Sequence, residues 1–170
     1  SEDFLEVDQD GVLRLIDGKE IYGASVRIPK EAKKIPVGIF NEKTSVKYIT
    51  FETGSELQEI EAGAFEGCGI VSIELPQGVT TIADETFKNS YLQSITFSGQ
   101  VTYIGKEAFS GTMLTSISAK EVTEVGDSAF SNCSSLTSVQ MPKLQKIGPR
   151  AFQYCTKLNS GMSWSSALTE

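Results

Sequence analysis

A six-residue pattern that ends in phenylalanine recurs through most of this 170-residue chain. Its clearest copy runs from Ile104 to Phe109, and the phenylalanines fall at positions 40, 65, 87, 109, 130 and 152. The steps between them are therefore 25, 22, 22, 21 and 22 residues. So regular a period is typical of a stacked repeat protein, in which each turn covers the apolar face of its neighbour.

Each repeat carries two apolar signatures that predict strands. The first is apolar-x-x-apolar-x-apolar, as in Leu92 to Phe97, and the second is the shorter apolar-x-x-Ile, as in Val101 to Ile104. Within these signatures apolar residues alternate with polar ones, so one face of each strand should be buried. The Ala-Phe segment after the Ile-Gly turn has room only for a helical or 3₁₀ turn. At ~4.8 Å per turn, the coil should be about 30 Å long.

Both ends depart from the period. We expect residues 1–23 to form an N-terminal capping hairpin, in which 12–16 pairs with 20–22 across an Asp17-Gly18 turn. We expect residues 24–158 to form the repeat array. Residues 159–170, with Met162, Trp164 and Leu168, are either a C-terminal cap or the place where the array stops.

The cysteines occupy one slot of the repeat. Cys68, Cys133 and Cys155 each lie three residues after a repeat phenylalanine, and Ser90 and Thr112 hold the same slot in two other units. A position that accepts Cys, Ser or Thr is a small, half-buried packing position, which we favour over a redox or metal role. Cys133 and Cys155 lie on adjacent turns, so a disulfide between them is possible but not implied.

Composition disfavours several classes of function. The net charge of −7 argues against nucleic acid or an anionic membrane as partner. No apolar run approaches the ~18 residues of a membrane span. The chain has no histidine, which removes the commonest general base and the commonest metal ligand. We therefore predict no catalytic residues, no metal and no cofactor.

Surface side chains supply the remaining candidates. Residues that alternate with the buried ones in the longer strand should point outward and align across the turns. They are mostly uncharged, with Tyr48 as an aromatic anchor, and they comprise Ser25, Arg27, Tyr48, Thr50, Ser72, Glu74, Ser94, Thr96, Ser116, Ser118, Ser138 and Gln140. The second strand exposes Lys34, Glu59, Thr81, Tyr103, Glu124 and Lys146. The long-strand set from Tyr48 to Gln140 is either ordinary solvated surface or a binding site for protein backbone or glycan hydroxyls.

The full repeat reads Ile-Gly-x-x-Ala-Phe-x-x-Cys-x-x-Leu-x-x-Ile-x-Leu-Pro-x-x-Val-x-x-Ile, and it resembles the BspA-like class of bacterial leucine-rich repeat proteins over about residues 24–158. We accordingly predict a right-handed, β-rich leucine-rich repeat solenoid with two parallel β faces. The chain departs from the family pattern at Gly161, where an isoleucine is expected.

The resemblance also implies a function. Such proteins are typically secreted or attached to the cell surface, and are implicated in adhesion to host proteins or other cells. No charged and then apolar leader follows Ser1, so we expect that any signal peptide has been removed or was never there. We expect a non-enzymatic binding or adhesion module for a protein or glycan, including a host extracellular protein. The alternatives are a structural spacer within a larger surface protein and a carbohydrate-active enzyme whose acids the sequence does not pair.

Overall fold

The computed structural model describes residues 3–159 and the backbone of Met162–Trp164. This part of the chain is built from short strands joined by turns. In chain order the strands are β1 (Leu5–Val7), β2 (Leu13–Leu15), β3 (Ser25–Ile28), β4 (Lys34–Ile35), β5 (Tyr48–Phe51), β6 (Glu59–Ile60), β7 (Ser72–Leu75), β8 (Thr81–Ile82), β9 (Ser94–Phe97), β10 (Tyr103–Ile104), β11 (Ser116–Ser118), β12 (Glu124–Val125), β13 (Ser138–Met141), β14 (Lys146–Ile147) and β15 (Met162–Trp164).

Two strand stacks run along the molecule. The long-strand face consists of the sheets β3-β5-β7-β9 and β11-β13-β15, and the short-strand face consists of β4-β6 and β8-β10-β12-β14. Within each of these sheets, neighbouring strands pair in parallel and in register, so that Ile73 lies beside Ile95 and Ile104 beside Val125. The predicted β-rich solenoid with two parallel β faces is confirmed.

The repeat phenylalanines form one stack through the interior. Successive rings from Phe40 to Phe152 have centroids 5.1 to 5.5 Å apart, and their planes lie within 18° of each other. All except the half-buried Phe152 are fully buried. Ile104 is buried as well, whereas Lys106 is exposed and Glu107 is half-buried. The Ile-to-Phe motif is therefore scaffold, as its repetition predicts.

The Ala-Phe segment is not helical, which corrects the predicted helical or 3₁₀ turn. Residues 3–159 contain neither type of helix. Instead, alternate backbone N–H groups donate to carbonyls of the following turn: Glu85 to Lys106 at 2.9 Å, and Phe87 to Ala108 at 2.8 Å. The residues two before and two after each phenylalanine are left-handed, as Glu85 and Asn89 are around Phe87. The corner is thus a third hydrogen-bonded ladder, which satisfies backbone groups that a helical turn would leave unpaired.

The glycines that follow the repeat isoleucines are explained by close contact between successive turns. Gly105, Gly126 and Gly148 do not have a positive φ, so they do not turn the coil by a left-handed conformation. A Cβ at Gly126 would lie 2.8 Å from the backbone nitrogen of Lys106, and one at Gly148 would lie 2.5 Å from that of Asp127. These positions are glycine because consecutive turns touch there.

An N-terminal hairpin is present, but its strands are not the predicted pair. β2 pairs with β1, which precedes it, rather than with residues 20–22. The connecting turn starts at Asp8, whose carboxylate accepts the backbone N–H groups of Asp10 at 2.8 Å and Val12 at 3.0 Å. This carboxylate organises the turn, whereas the Asp17-Gly18 turn is followed by no strand until β3.

The three cysteines are buried free thiols. The thiols of Cys133 and Cys155 donate to main-chain carbonyl oxygens of Phe109 and Phe130, at 3.1 and 3.0 Å. Burial is the main cause that raises the pKa of Cys68 to about 11. The predicted packing role therefore agrees with their environment.

At the C-terminal end, β15 pairs in parallel with β13 and continues the long-strand face. The rest of the predicted C-terminal cap, including Leu168, lies outside the described residues. The predicted boundaries at 23/24 and 158/159 stay predictions.

Candidate recognition surface

Outward side chains of the long strands lie in register, as the alternation predicts. In the first sheet, Ser25, Tyr48, Ser72 and Ser94 form one row. A second row contains the neighbouring pairs Arg27 with Thr50 and Glu74 with Thr96. In the second sheet, Ser116 lies beside Ser138 and Ser118 beside Gln140. The structure places all these residues on one strand face, exposed or half-buried, and their role in binding stays a prediction.

The rows are not continuous, because the long-strand face divides between β9 and β11. The N–H of Thr115 donates to the carbonyl of Gln93 at 3.3 Å, just before these strands begin. Beyond that bond the two strands do not pair. We call this interruption the sheet gap. The predicted ladder is thus two surfaces, one of four repeats and one that includes β11 and β13.

A small residue lies beside the sheet gap. Ala119 occupies the position that holds Leu75, Phe97 and Met141 in the neighbouring long strands. On the other side of the gap, Ile95 and Phe97 are only half-buried, although their counterparts Ile73 and Leu75 are buried. A groove of about 770 Å³ results, and its lining comprises Gln77, Thr80, residues 95–101, and 118–121. Apolar side chains that are buried in the neighbouring repeat are therefore partly exposed beside the gap.

A second groove lies between β5 and β7. Register pairing between these strands is confined to Tyr48 and Ser72. The opening has a volume of about 620 Å³ and exposes part of Phe51. Both grooves lie on the long-strand face, where the strands are least regularly paired.

Two exposed apolar residues beside this face were not among the predicted candidates. Tyr91 is 49% exposed and Met113 is 43% exposed, compared with 50% for Tyr48. The ammonium of Lys47 lies 5.6 Å from the ring centroid of Tyr91, within the range of a cation–π contact. Tyr91 and Met113 share one slot of the period, four residues after the repeat phenylalanine, where other copies carry small or polar residues. That contrast in size was the available signal.

The short-strand face has a different character, because its charges are mutually paired. Lys34 lies 3.2 Å from Glu61 and 3.8 Å from Glu59, and Lys146 lies 3.6 Å from Glu124. Such exposed pairs contribute little to stability, but they neutralise the surface locally. Burial, with the nearby carboxylates of Asp84 and Glu124, raises the pKa of Tyr103. Positive and negative charges on this face thus neutralise one another, whereas the rows of the long-strand face are mostly uncharged.

The described residues show no group of three or more acidic, cysteine or histidine side chains arranged to hold a metal. Within the same part of the chain, no helical segment has the length and apolarity that a membrane crossing requires.

Comparison with known families agrees with the architecture. A model of the BspA type leucine-rich repeat region matches in six copies over residues 22–137 and 119–169. The chain belongs to this BspA-type leucine-rich repeat family. No curated protein matches it in sequence.

Two solved structures share the fold. A leucine-rich cell surface protein from Faecalibacterium prausnitzii is 19% identical with a TM-score of 0.55, and the alignment covers 99% of this chain and 77% of that one. The pneumococcal vaccine antigen PcpA is 23% identical with a TM-score of 0.54, and the alignment covers 96% of this chain and 54% of that one. At these identities the likeness shows the fold alone. The chain spans about half the length of the pneumococcal antigen.

Proposed function

We propose that this protein is a non-enzymatic binding or adhesion module that recognises a protein or glycan through its long-strand face. The observation that supports it is the largely uncharged, in-register rows of the two long-strand sheets, from Tyr48 to Thr96 on one and from Ser116 to Gln140 on the other. The Faecalibacterium neighbour is described as a cell surface protein, which supports an extracellular or cell-surface location here as well.

The rows suit binding for a physical reason. Their hydroxyls repeat at the strand spacing of ~4.8 Å, and the strand backbone holds them rigidly, so that little conformational entropy is lost on binding. Few of these residues are charged, so they create no strong electrostatic field that would oppose the binding of a ligand's polar groups. Tyr48, half exposed between Ser25 and Ser72, offers the kind of aromatic contact that dominates many interfaces.

The test is a double substitution, Ser94→Glu with Ser116→Glu, which adds two carboxylates to the long-strand face. The probe is an array of purified extracellular matrix proteins and glycans. Ligands of the parent should bind the variant at least about tenfold more weakly, since each glycan or peptide hydroxyl contact would meet a desolvated charge.

The matched control is Thr81→Glu with Thr102→Glu, which adds the same charge to exposed positions on and beside the short-strand face. We expect this control to bind like the parent. Equal binding by all three folded proteins would refute the choice of face.

A further inference from the structure

Turn length changes at two places along the long-strand face, and a groove lies at each. The turn after β5 (51–57) is two residues longer than the turn after β7 (75–79), counted between equivalent apolar residues. The turn after β11 (119–122) is one residue shorter than the turn after β9 (97–101). Turns of unequal length do not stack evenly, and the open space of the β5–β7 groove and of the groove beside the sheet gap lies where the lengths differ.

These two grooves adjoin, because Gln77 and Ser98 line both of them. A smaller opening of about 370 Å³, lined in part by Lys143, continues the groove beside the sheet gap and shares Lys120 and Glu121 with it. We call the three together the axial groove, since they follow one another along the turns after β5, β7, β9, β11 and β13. From the turn after β5 to the turn after β11 is three strand spacings, or roughly 14 Å, which about four extended residues span.

The β5 end of the axial groove is negatively charged. Its charged lining residues, Glu52 and Glu74, take part in no ion pair among the described residues. Instead, the backbone N–H of Lys30 donates to Glu52 at 2.9 Å, and the hydroxyl of Ser98 donates to Glu74 at 3.0 Å. These bonds hold both carboxylates in place without neutralising them. The half-exposed ring of Tyr48 lines the same groove, so a cationic side chain would meet both carboxylates and an aromatic face.

The other end of the axial groove carries a net positive charge. Lys120, Glu121 and Lys143 line it, and Glu121 is bound by Lys143, with 2.6 Å between the carboxylate oxygen and the ammonium nitrogen. Lys120 is exposed and takes part in no ion pair within the part of the chain that the structure describes. Two lysines against one glutamate leave one positive charge in a protein that is acidic as a whole. A carboxylate of the ligand would complement it.

Between its two charged ends the axial groove is partly apolar. Ile95 and Phe97 line it and are half-buried. Ala119 also lines it, and is small where the neighbouring long strands carry Leu75 and Met141. A large aliphatic or aromatic side chain of a ligand would cover apolar surface that is now partly exposed to water, which favours binding by the hydrophobic effect.

We propose that the axial groove binds an extended peptide segment of a partner protein, which lies over the face and crosses the strands along the axis of the coil. A basic side chain contacts Glu52 and Glu74. An apolar side chain covers Phe97, and an acidic side chain contacts Lys120. β9 and β11 stay neighbours, because the peptide rests on the strand ends and adds no strand to the sheet.

The opposite charges at the two ends favour a polypeptide over a glycan. A neutral glycan would leave both ends unmatched, and an acidic glycan would meet the carboxylates at the β5 end. A polypeptide supplies both charges and an apolar side chain from one short segment. This inference rests on the proposed function, since it names the ligand class and the position on the same face.

The experiment selects random dodecapeptides displayed on phage against the immobilised full chain, and then measures the enriched sequences as synthetic peptides by fluorescence anisotropy. We expect enriched peptides to carry a basic and an acidic residue about three to five positions apart, with an apolar residue between them. That separation matches the two to three strand spacings, roughly 10–14 Å, between the carboxylates of the β5 end and Lys120.

Charge reversals test the two ends of the axial groove. Glu74→Lys and Lys120→Glu should each weaken the binding of these peptides at least about fivefold, since an attraction becomes a repulsion. The double variant should bind a peptide whose basic and acidic residues are exchanged at least about fivefold more tightly than it binds the original peptide. Glu20→Lys and Lys19→Glu make the same charge changes at exposed N-terminal positions and should leave binding unchanged.

Two measurements test the apolar middle. Ala119→Leu fills space between the charged ends and should weaken the binding of these peptides at least about fivefold. A peptide that carries a benzophenone side chain in place of its apolar residue should cross-link on illumination to residues 95–101 or 118–121, which mass spectrometry identifies.

The outcomes separate this inference from the proposed function. Peptide binding that Ser94→Glu with Ser116→Glu weakens, but that the three substitutions in the axial groove leave intact, would overturn the groove as the site and keep the face. Binding that all of these variants leave intact would overturn both, and so would cross-links confined to the short-strand face. Absence of any peptide enriched above an unrelated immobilised protein would overturn the peptide ligand. Array binding sensitive to Ser94→Glu with Ser116→Glu would then still support the face.

Discussion

Phe109 lies in the middle of the phenylalanine stack, where the repeat architecture concentrates its packing. It is fully buried between Phe87, with a centroid distance of 5.3 Å, and Phe130, with a centroid distance of 5.2 Å. The plane of the Phe109 ring lies at 7° to that of Phe87 and at 11° to that of Phe130, so each face of the Phe109 ring is covered by another ring. Replacement by alanine would remove the side chain from a place that the adjoining turns cannot fill, because their own positions are fixed by backbone ladders on three sides.

The expected loss of stability follows from these contacts. Truncation of a buried phenylalanine to alanine costs about 3–5 kcal/mol, since transfer and cavity terms add. Aromatic pairs contribute about 0.5–1.5 kcal/mol beyond the buried area, and Phe109 takes part in two of them. We therefore expect Phe109→Ala to lie in the upper part of the range, at about 4–5 kcal/mol. For a chain of this size, that lowers the melting temperature by roughly 8–20 °C.

Urea denaturation followed by circular dichroism measures this difference. The matched control is Phe97→Ala, which removes the same atoms from a half-buried ring at the sheet gap and should cost about 1–2 kcal/mol. Hydrogen exchange at the corner amides would show whether turns unfold separately, as weakly coupled repeats can. If Phe109→Ala were no more destabilising than Phe97→Ala, the stack would not be the main packing element of the solenoid.

Three further predictions concern single positions. Gly126→Ala should lower the free energy of unfolding by about 2–3 kcal/mol, because the added methyl group would push adjacent turns apart. Gly18 has open space around it, so Gly18→Ala should lower the free energy of unfolding by only about 1 kcal/mol, as a result of the positive φ at that position. Urea denaturation measures both changes. Ser90→Ala should raise stability by about 1 kcal/mol because its buried hydroxyl has no hydrogen-bond partner, whereas Ser110→Ala, which breaks a 2.7 Å bond to another hydroxyl, should lower it. At pH 8 the native Cys68 thiol should not react with an aromatic disulfide reagent, because burial and a pKa of about 11 suppress the thiolate, and it should react once the chain is unfolded in urea. A native melting curve unchanged in the first two cases, or rapid labelling in the third, would contradict the packing described above.

Much of the fold could be predicted because the repeat encodes it redundantly. An isoleucine such as Ile104 recurs at the same slot in several turns, so local strand signals reinforce one another. Stacking then places equivalent residues of successive turns beside one another. This predicts both the column of buried phenylalanines and the pairing of the outward-facing Ser72 with Ser94. Neither conclusion depends on a single residue.

Features that depend on backbone conformation or on neighbouring turns were not predictable in this way. The left-handed residues of the corner include Glu85 and Arg150, which carry no local sign of that conformation. The glycine at Gly126 is required by the backbone of the previous turn, a contact that exists only after stacking. The hairpin was mispredicted because the Asp17-Gly18 turn gives the stronger local signal, while Asp8 forms its turn with its own carboxylate.

The sheet gap shows where recognition can arise in a repetitive molecule. When every turn is alike, each surface position is surrounded by copies of itself, and a bound segment could slide from one turn to the next. A site for one partner therefore needs a place where the repetition fails. The turn of Ala119 is such a place, since a small residue stands there where the neighbouring long strands carry large ones, and the edges of β9 and β11 beside it are unpaired. We expect Ala119→Leu, which makes the repeats more alike, to stabilise the protein and at the same time to weaken its binding to a ligand of the long-strand face. An increase in stability without a loss of binding would separate the irregular turn from recognition.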